Sequence, residues 1–273
     1  MDLQGGFSGM IESLRYWTHF DDLPQPLSED SPTTLAMGVF DGVHRGHQEL
    51  LRRVIAEAER TPRGRAGVLT FEPNPAAFLF PDSFPGALSP LSERIEQFRR
   101  FRFKDVVVVE FSRNFADLPG KIFLERFLEV FPRLESVVVG FNFHLGHNRD
   151  VNSRELRTWL QGRGIRVDIV PALKDNEDSI SSSRIRRAVA AGDLDLASRL
   201  LGRPYCIAVS GVGGIRAGSS AQLFPPPGRY HCTLVGEDSS REGMMEISEN
   251  GNLWWEQQID QIHYVIPRCD LKE

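Results

Sequence analysis

The sequence predicts an α/β protein, with a parallel sheet covered on both faces by helices and a small all-β module behind it. Three observations carry this reading. Short β-branched runs, VVVV at 106–109 and VVV at 137–139, have the composition of strands buried on both faces. These runs alternate with segments of helical apolar period. Near Leu201–Pro204 the alternation stops, and short β-prone pieces separated by Gly, Pro and Ser take over.

Taken in chain order, residues 1–13 are glycine-rich and polar and are expected to carry no regular structure. The first strand is expected at Thr33–Val39. A helix follows from Gly46 to Arg60, with Leu50, Leu51, Val54, Ile55 and Ala58 on one face and Pro62 and Gly64 ending it. Ala66–Phe71 reads as a buried strand, Glu93–Phe101 as a helix and Asp105–Phe111 as a strand. Lys121–Phe131 is an amphipathic helix and Ser136–Gly140 a strand. Ser153–Gln161 and Arg166–Val170 form the next helix and strand. A further helix opens within Ser179–Val189. Beyond the boundary near residue 202, strands are expected at Tyr205–Ser210, Gly228–Val235, Met244–Ile247 and Asn252–Trp255, with turns at Gly213–Gly218 and Pro225–Gly228. The two domains are thus expected at 14–202 and 203–273. The second is small for an independent barrel and is expected to pack on the first.

Composition narrows the function. A net charge of −5 over 273 residues, with a pI near 5.9, gives no overall electrostatic reason to bind nucleic acid or an anionic membrane. Cys206, Cys232 and Cys269 are too few and too scattered for a disulfide framework or a metal site. The N-terminal segment lacks the pattern of a signal peptide, and no apolar run approaches the roughly 20 residues of a membrane span. A cytoplasmic protein, monomeric, is expected.

The chemistry concentrates at "MGVFDGVHRGHQELL", residues 37–51, where a strand gives way to a helix. A helix N-terminus presents unpaired N–H groups and the positive end of the helix dipole, so it attracts phosphate. Gly42 allows a turn, and Gly46 lets the backbone approach a ligand closely. His44 and His47, three residues apart, can face one side. Each can donate a hydrogen bond to a phosphate oxygen, or carry a proton when charge builds up there. A second phosphate-type segment is "SISSSRIRRAV" at 179–189. Ser181, Ser182 and Ser183 suit a helix cap, and Arg184 and Arg186 suit an anion, with Arg187 adding charge. Each segment alone is compatible with an ordinary surface helix start. Together they suggest a two-sided polyphosphate clamp.

Four ordered motifs, "GVFDGVHRGHQ" (38–48), "TFEPNP" (70–75), "VVVGFNFHLGHNRD" (137–150) and "ISSSRIR" (180–186), resemble the bacterial bifunctional riboflavin kinase/FAD synthetases. The resemblance covers residues 14–205, the family's FMN adenylyltransferase module, and implies a Rossmann-like nucleotidyltransferase fold. "LGRPY" (201–205) resembles the family's link into its kinase module. The resemblance implies His44, His47 and Arg186 as catalytic residues. It implies ATP contacts from Gly38, Phe40, His44, Gly46, His47, Ser182, Ser183 and Arg186, and flavin-side contacts from Asp41, Glu72, Asn74, Asn142 and Phe143. ATP and FMN would be substrates and FAD the product, with Mg²⁺ held through substrate phosphates and no metal site of protein ligands. Two positions depart from the family pattern: Asn74 stands where histidine is usual, and Ser183 where threonine is usual.

Residues 203–273 resemble a reduced riboflavin-kinase barrel. The family's Pro-Thr-Ala-Asn-type segment, which binds ATP and Mg²⁺, is missing after residue 202. "SSAQLFPPPGRYHCTLV" (219–235) resembles the stretch that normally follows it. The glycines Gly211, Gly213 and Gly214 precede no Thr-Asn pair. Glu237, Glu242, Glu246 and Glu249 are candidate bases, and no partner motif singles one out. The expected activity is AMP transfer from ATP to FMN without riboflavin phosphorylation. The residues alone also admit adenylyl transfer to another phosphate, or an inactive flavin- or nucleotide-binding protein.

Overall fold

A computed structural model of the chain describes residues 11–18, 24, 31–209, 216–217, 222–236, 239–255 and 262–268. By packing they form two compact units, each discontinuous in sequence. One holds residues up to Phe40, Gly46–Pro81 and Ile95–Leu173. The other holds Asp41–Arg45, Asp82–Arg94 and everything from Lys174 onward. The sequence reading divides the chain into two consecutive segments, 14–202 and 203–273.

The first unit is built on six parallel strands: β1 (Ser13–Trp17), β2 (Thr33–Met37), β3 (Arg65–Glu72), β4 (Asp105–Glu110), β5 (Leu134–Gly140) and β6 (Arg166–Val170). Their spatial order is β1-β4-β3-β2-β5-β6. From β2 the chain proceeds outward through β3 and β4, then returns to β2's other side with β5 and β6. The order therefore reverses at β2, and in open parallel sheets ligands bind beyond the strand ends at such a switch. All five residues of β2 are buried, as are Asp105–Val109 of β4, which accounts for continuous apolar runs without alternation.

Helices α1 (Arg45–Ala58), α2 (Pro75–Leu79), α3 (Leu91–Arg100), α4 (Gly120–Val130) and α5 (Ser153–Gln161) follow in chain order. Asn152 caps α5, and Glu155 completes a capping box. The core of this unit contains Leu35, Met37, Leu69, Val107, Phe123, Phe127 and Val137. Phe115, Phe123, Phe127 and Phe131 pack in succession with ring centroids 5.2, 6.0 and 4.8 Å apart, the first pair edge-on and the second stacked.

The second unit contains α6 (Ser182–Ala190) and α7 (Leu194–Leu201), which ends on Gly202 in the left-handed conformation. Its antiparallel sheet comprises β7 (Ile207–Ala208), β8 (Arg216–Ala217), β9 (Gly228–Val235), β10 (Ser240–Ile247), β11 (Asn252–Trp255) and β12 (Tyr264–Pro267). The order is β7-β12-β9-β10-β11-β8.

Four elements escaped the sequence pattern, one of them β8, a strand inside the expected turn Gly213–Gly218. Residues 1–13 were expected to carry no regular structure and the first strand to be Thr33–Val39, but Ser13–Trp17 is an edge strand; residues 1–10 lie outside the described residues. Leu14 and Tyr16 face outward and only Trp17 is fully buried, against Phe123, so no apolar run marks it. Helix α2 has five residues, too few for a period. Strand β12, YVIP, is too short to stand out. Ser210, the turn glycines Gly211, Gly213 and Gly214, Cys269 and Glu237 lie outside the described residues.

Adjacent strands β3 and β4 are clamped where they begin. Asp105, 2% exposed, accepts two hydrogen bonds from Arg65, at 2.7 and 2.9 Å. Removing Asp105 strips the partly buried Arg65 of two hydrogen bonds and leaves it only Glu12, at 2.9 Å, as a carboxylate partner. Asp105→Ala is expected to cost about 3 kcal/mol in urea unfolding. A loss below about 0.5 kcal/mol would show the pair to behave as a solvated one.

Candidate active site

The junction after β2 is shaped by backbone strain and close packing. Gly42 has φ +75°, and a Cβ there would lie 3.0 Å from Leu88 and 3.2 Å from Leu201. The expected turn glycine is thus required twice over, by conformation and by space. Gly38 is required for a different reason. A Cβ there would lie 3.2 Å from the Phe40 ring, which folds back over it. Phe40 itself is 1% exposed and meets Phe98 and His47 edge-on, at 5.6 and 5.3 Å. The ring packs beneath the junction, against His47, so an ATP contact from Phe40 would come from its backbone.

Helix α1 starts at Arg45, so His44 is the residue before the helix, Gly46 its second residue and His47 its third. His44 is 6% exposed. Burial lowers its pKa to about 4, and the charges of Arg203 and Arg186 push in the same direction. The imidazole is neutral at pH 7. Of the two roles expected for it, hydrogen-bond donor and proton carrier, the first fits this environment.

Asp41 was expected on the flavin side. It is 4% exposed, and its carboxylate is engaged inside the second unit. Oδ1 accepts from the amides of Leu88 (2.8 Å) and Ser89 (3.3 Å), and Oδ2 accepts from Arg186. Burial raises the carboxyl's pKa, while Arg186, the Leu88 amide and Arg94 pull it back down. Arg186 also donates through Nε to the Gly86 carbonyl at 2.8 Å and lies over the Phe84 ring at 4.9 Å. Ser182 donates to the Asp41 carbonyl at 3.1 Å, and Ser181 caps α6 by accepting from the Arg184 amide. Arg184 holds Asp175 and two carbonyls of the hairpin joining Lys174–Asp175 to Asp178–Ser179. Ser183 and Arg187 are exposed at α6. So Asp41, Ser182 and Arg186, each expected at a ligand, come together and bond to one another.

On the first unit, Glu72 ends β3 half-buried before a cis peptide to Pro73. Asn74 caps α2, its side chain accepting from the Ala76 amide at 3.0 Å. The carboxamide thus has a local structural task in place of the usual histidine's. Beyond β5, Asn142 is exposed, with its Oδ1 placed over Gly140, whose Cβ would lie 3.2 Å away. Phe143 is half-buried against the core. Phe141 beside them is 52% exposed and was not singled out from sequence.

Sequence reasoning also missed the charges around the junction. Glu93 and Arg94 are 5% and 3% exposed, yet in the sequence they read as the polar face of a helix. Arg203 pairs with Glu93 at 2.5 Å and donates to the Gly42 carbonyl at 2.9 Å. Its only sequence signal was the "LGRPY" resemblance.

A parallel sheet whose order reverses at β2, with a glycine turn and two histidines where β2 meets α1, defines an α/β nucleotide-binding protein. Residues 27–184 match the sequence model of the FAD synthetase family. Similar curated proteins are bifunctional riboflavin kinase/FMN adenylyltransferases. That of Listeria monocytogenes is 32% identical over 84% of this chain and 77% of its own. Those of Bacillus subtilis (31% identical) and Escherichia coli K12 (32% identical) each align over 74% of this chain, and over 67% and 68% of their own. The chain belongs to this FAD synthetase family of transferases. Among solved structures, one titled a macrolide-efflux protein from Streptococcus pneumoniae superposes with a TM-score of 0.76 over 95% of this chain and 92% of its own. It is 22% identical and shows the shared fold.

The buried, neutral His44 has a thermodynamic consequence. Its folded-state pKa, about 4, lies below the ordinary 6.5. The folded protein therefore binds fewer protons than the unfolded chain between these values. Stability present above pH 6.5 declines as pH falls through that window. The contribution is about 3 kcal/mol. His44→Gln should lose correspondingly less stability than the wild type between the two ends of the window. Parallel pH dependence of the two proteins in urea unfolding would contradict a buried neutral His44.

Proposed function

We propose that this chain transfers AMP from ATP to FMN, giving FAD and pyrophosphate, and that it does not phosphorylate riboflavin. The observation that carries the reading is the junction itself. A histidine pair brackets the start of α1 at the switch point of a parallel sheet, in a chain of the FAD synthetase family. An FMN phosphate oxygen attacks the α-phosphorus of ATP in line. The bond to the bridging oxygen breaks, and pyrophosphate departs with the electron pair. Such a displacement asks the protein for position and charge stabilisation. His44, neutral, donates one ring N–H to a phosphate oxygen, and His47 donates from the first turn of α1. Gly38 and Gly46 keep side chains away from the phosphates. Ser183 offers an exposed hydroxyl. Arg186 contributes charge and, through Asp41, holds the turn. Glu72, Asn142 and Phe143 are assigned to the flavin side.

Among the described residues no group of three or more His, Cys, Asp or Glu could hold a metal ion. Mg²⁺ is assigned to the substrate phosphates, whose charge it screens when bound, and no step depends on a protein-held ion. Among the described residues no helix is long and apolar enough to cross a membrane. A cytoplasmic, monomeric enzyme remains part of the proposal.

We assign residues 14–202 to adenylyl transfer and 203–273 to a reduced β segment. The missing metal-triphosphate motif supports the absence of kinase activity. So do the surface roles of the candidate bases. Glu242 pairs with Arg268 and Thr233, Glu246 pairs with Arg229, and Glu249 is exposed.

Purified protein given ATP, Mg²⁺ and FMN is expected to form FAD over many turnovers, and given riboflavin in place of FMN to form neither FMN nor FAD. Multiple turnovers from riboflavin would falsify the second half. His47→Ala is expected to fold and to lose about 100-fold or more in kcat. Wild-type turnover by that variant would remove His47 from the mechanism.

A further inference from the structure

The Gly42 peptide is held from both sides by groups distant in sequence. Its N–H donates to Ser89 Oγ at 3.1 Å, and its carbonyl accepts from Arg203 at 2.9 Å. Arg203 lies just beyond α7, at the first residues of the β segment. Its side chain is 16% exposed, and a second arm of the same guanidinium is fixed by Glu93, whose side chain is 7% exposed. A forked cation can bind a carbonyl and a carboxylate at once in a set orientation, which an ammonium cannot. His44 follows Gly42 by two residues, so the orientation of that peptide governs where the imidazole begins. The strip that carries Ser89 is itself braced from the β segment. Gln222 donates to the Leu88 carbonyl at 3.2 Å, and the Leu223 amide donates to the Ala87 carbonyl at 2.8 Å.

We propose that Arg203 is a positioning residue for adenylyl transfer, fixing through the Gly42 carbonyl the turn that presents His44. The proposal rests on the adenylyl-transfer reading of the junction. It gives the β segment a task within that reaction: its first residues finish a site whose recognisable motifs all lie earlier in the chain. Its charge works in the same sense. Burial is what chiefly keeps His44 neutral, and Arg203 and Arg186 push in the same direction.

The test combines Arg203→Gln, Arg203→Lys, His44→Ala and the doubles Arg203→Gln/Glu93→Gln and Arg203→Gln/His44→Ala. Arg203→Gln is expected to lower kcat for FAD formation about tenfold or more, with KM for FMN within about twofold. Arg203→Lys, which keeps charge without the fork, should recover part of that loss. The Arg203→Gln/Glu93→Gln double leaves no buried carboxylate without its partner. It therefore stays folded if Arg203→Gln alone does not, and should show the same kcat loss. In the His44→Ala background, Arg203→Gln should cost less than about twofold more, because residues acting through one another are not additive. Unchanged kcat in a folded variant, or losses that multiply in the His44→Ala background, would overturn the proposal. The His44 ring resonances of the substrate-free protein give a readout independent of turnover, and they are expected to shift in Arg203→Gln. If the wild type makes no FAD from FMN, the adenylyl-transfer reading fails. Ring resonances that stay in place would overturn the positioning role instead.

Discussion

One buried carboxylate organises the second unit. Asp41 receives two amides from the 82–94 strip and a guanidinium from α6, and its own carbonyl receives the Ser182 hydroxyl. Desolvating a carboxylate is costly, and the attraction offsets the cost only when every lone pair is matched. Asp41 draws its partners from two other chain segments, the strip and the helix, and burial still raises its carboxyl's pKa. Loss of any one partner leaves charge or dipole stranded in a dry interior, typically about 3–5 kcal/mol for a broken buried pair. Turn, strip and helix are therefore held as one piece, and the residues beside Asp41 inherit that rigidity.

The same network sets the electrostatics. Arg94, Arg186 and Arg203 gather around two carboxylates, Asp41 and Glu93, so the buried balance is positive with His44 neutral. A positive surplus suits anionic ligands and resists protonation of the imidazole. A donor fixed in advance needs no reorganisation when phosphate charge develops, which is why such arrangements contribute strongly to displacement chemistry. The arginines thus set the charge around His44.

The β segment takes part in the same arrangement. Tyr205 is 1% exposed and donates to the Leu223 carbonyl. Gln222, 7% exposed, spans the Leu88 and Cys206 carbonyls and the Ala208 amide. Side chains so fully satisfied in a buried place brace whatever they touch, and here they touch the strip that grips Asp41.

What the sequence by itself determined was the local and periodic part. The continuous valine runs specified buried parallel strands, amphipathic periods specified α1, α4 and α5, and the change of texture near residue 202 marked the onset of the β segment. The histidine-glycine junction and the serine-arginine helix start were legible because their residue types are unusual at such positions. Only the tertiary structure decided partnership. Asp41 and Arg186 are separated by 145 positions and Gly42 and Arg203 by 161, and no period or turn rule links residues that far apart. Asp41, Ser182 and Arg186, each aimed at a ligand on sequence grounds, bond to one another because a buried polar group must find a partner and the fold supplies one. Glu93 and Arg94 read as a solvated helix face because burial depends on what packs against a helix, and that is set by the rest of the chain.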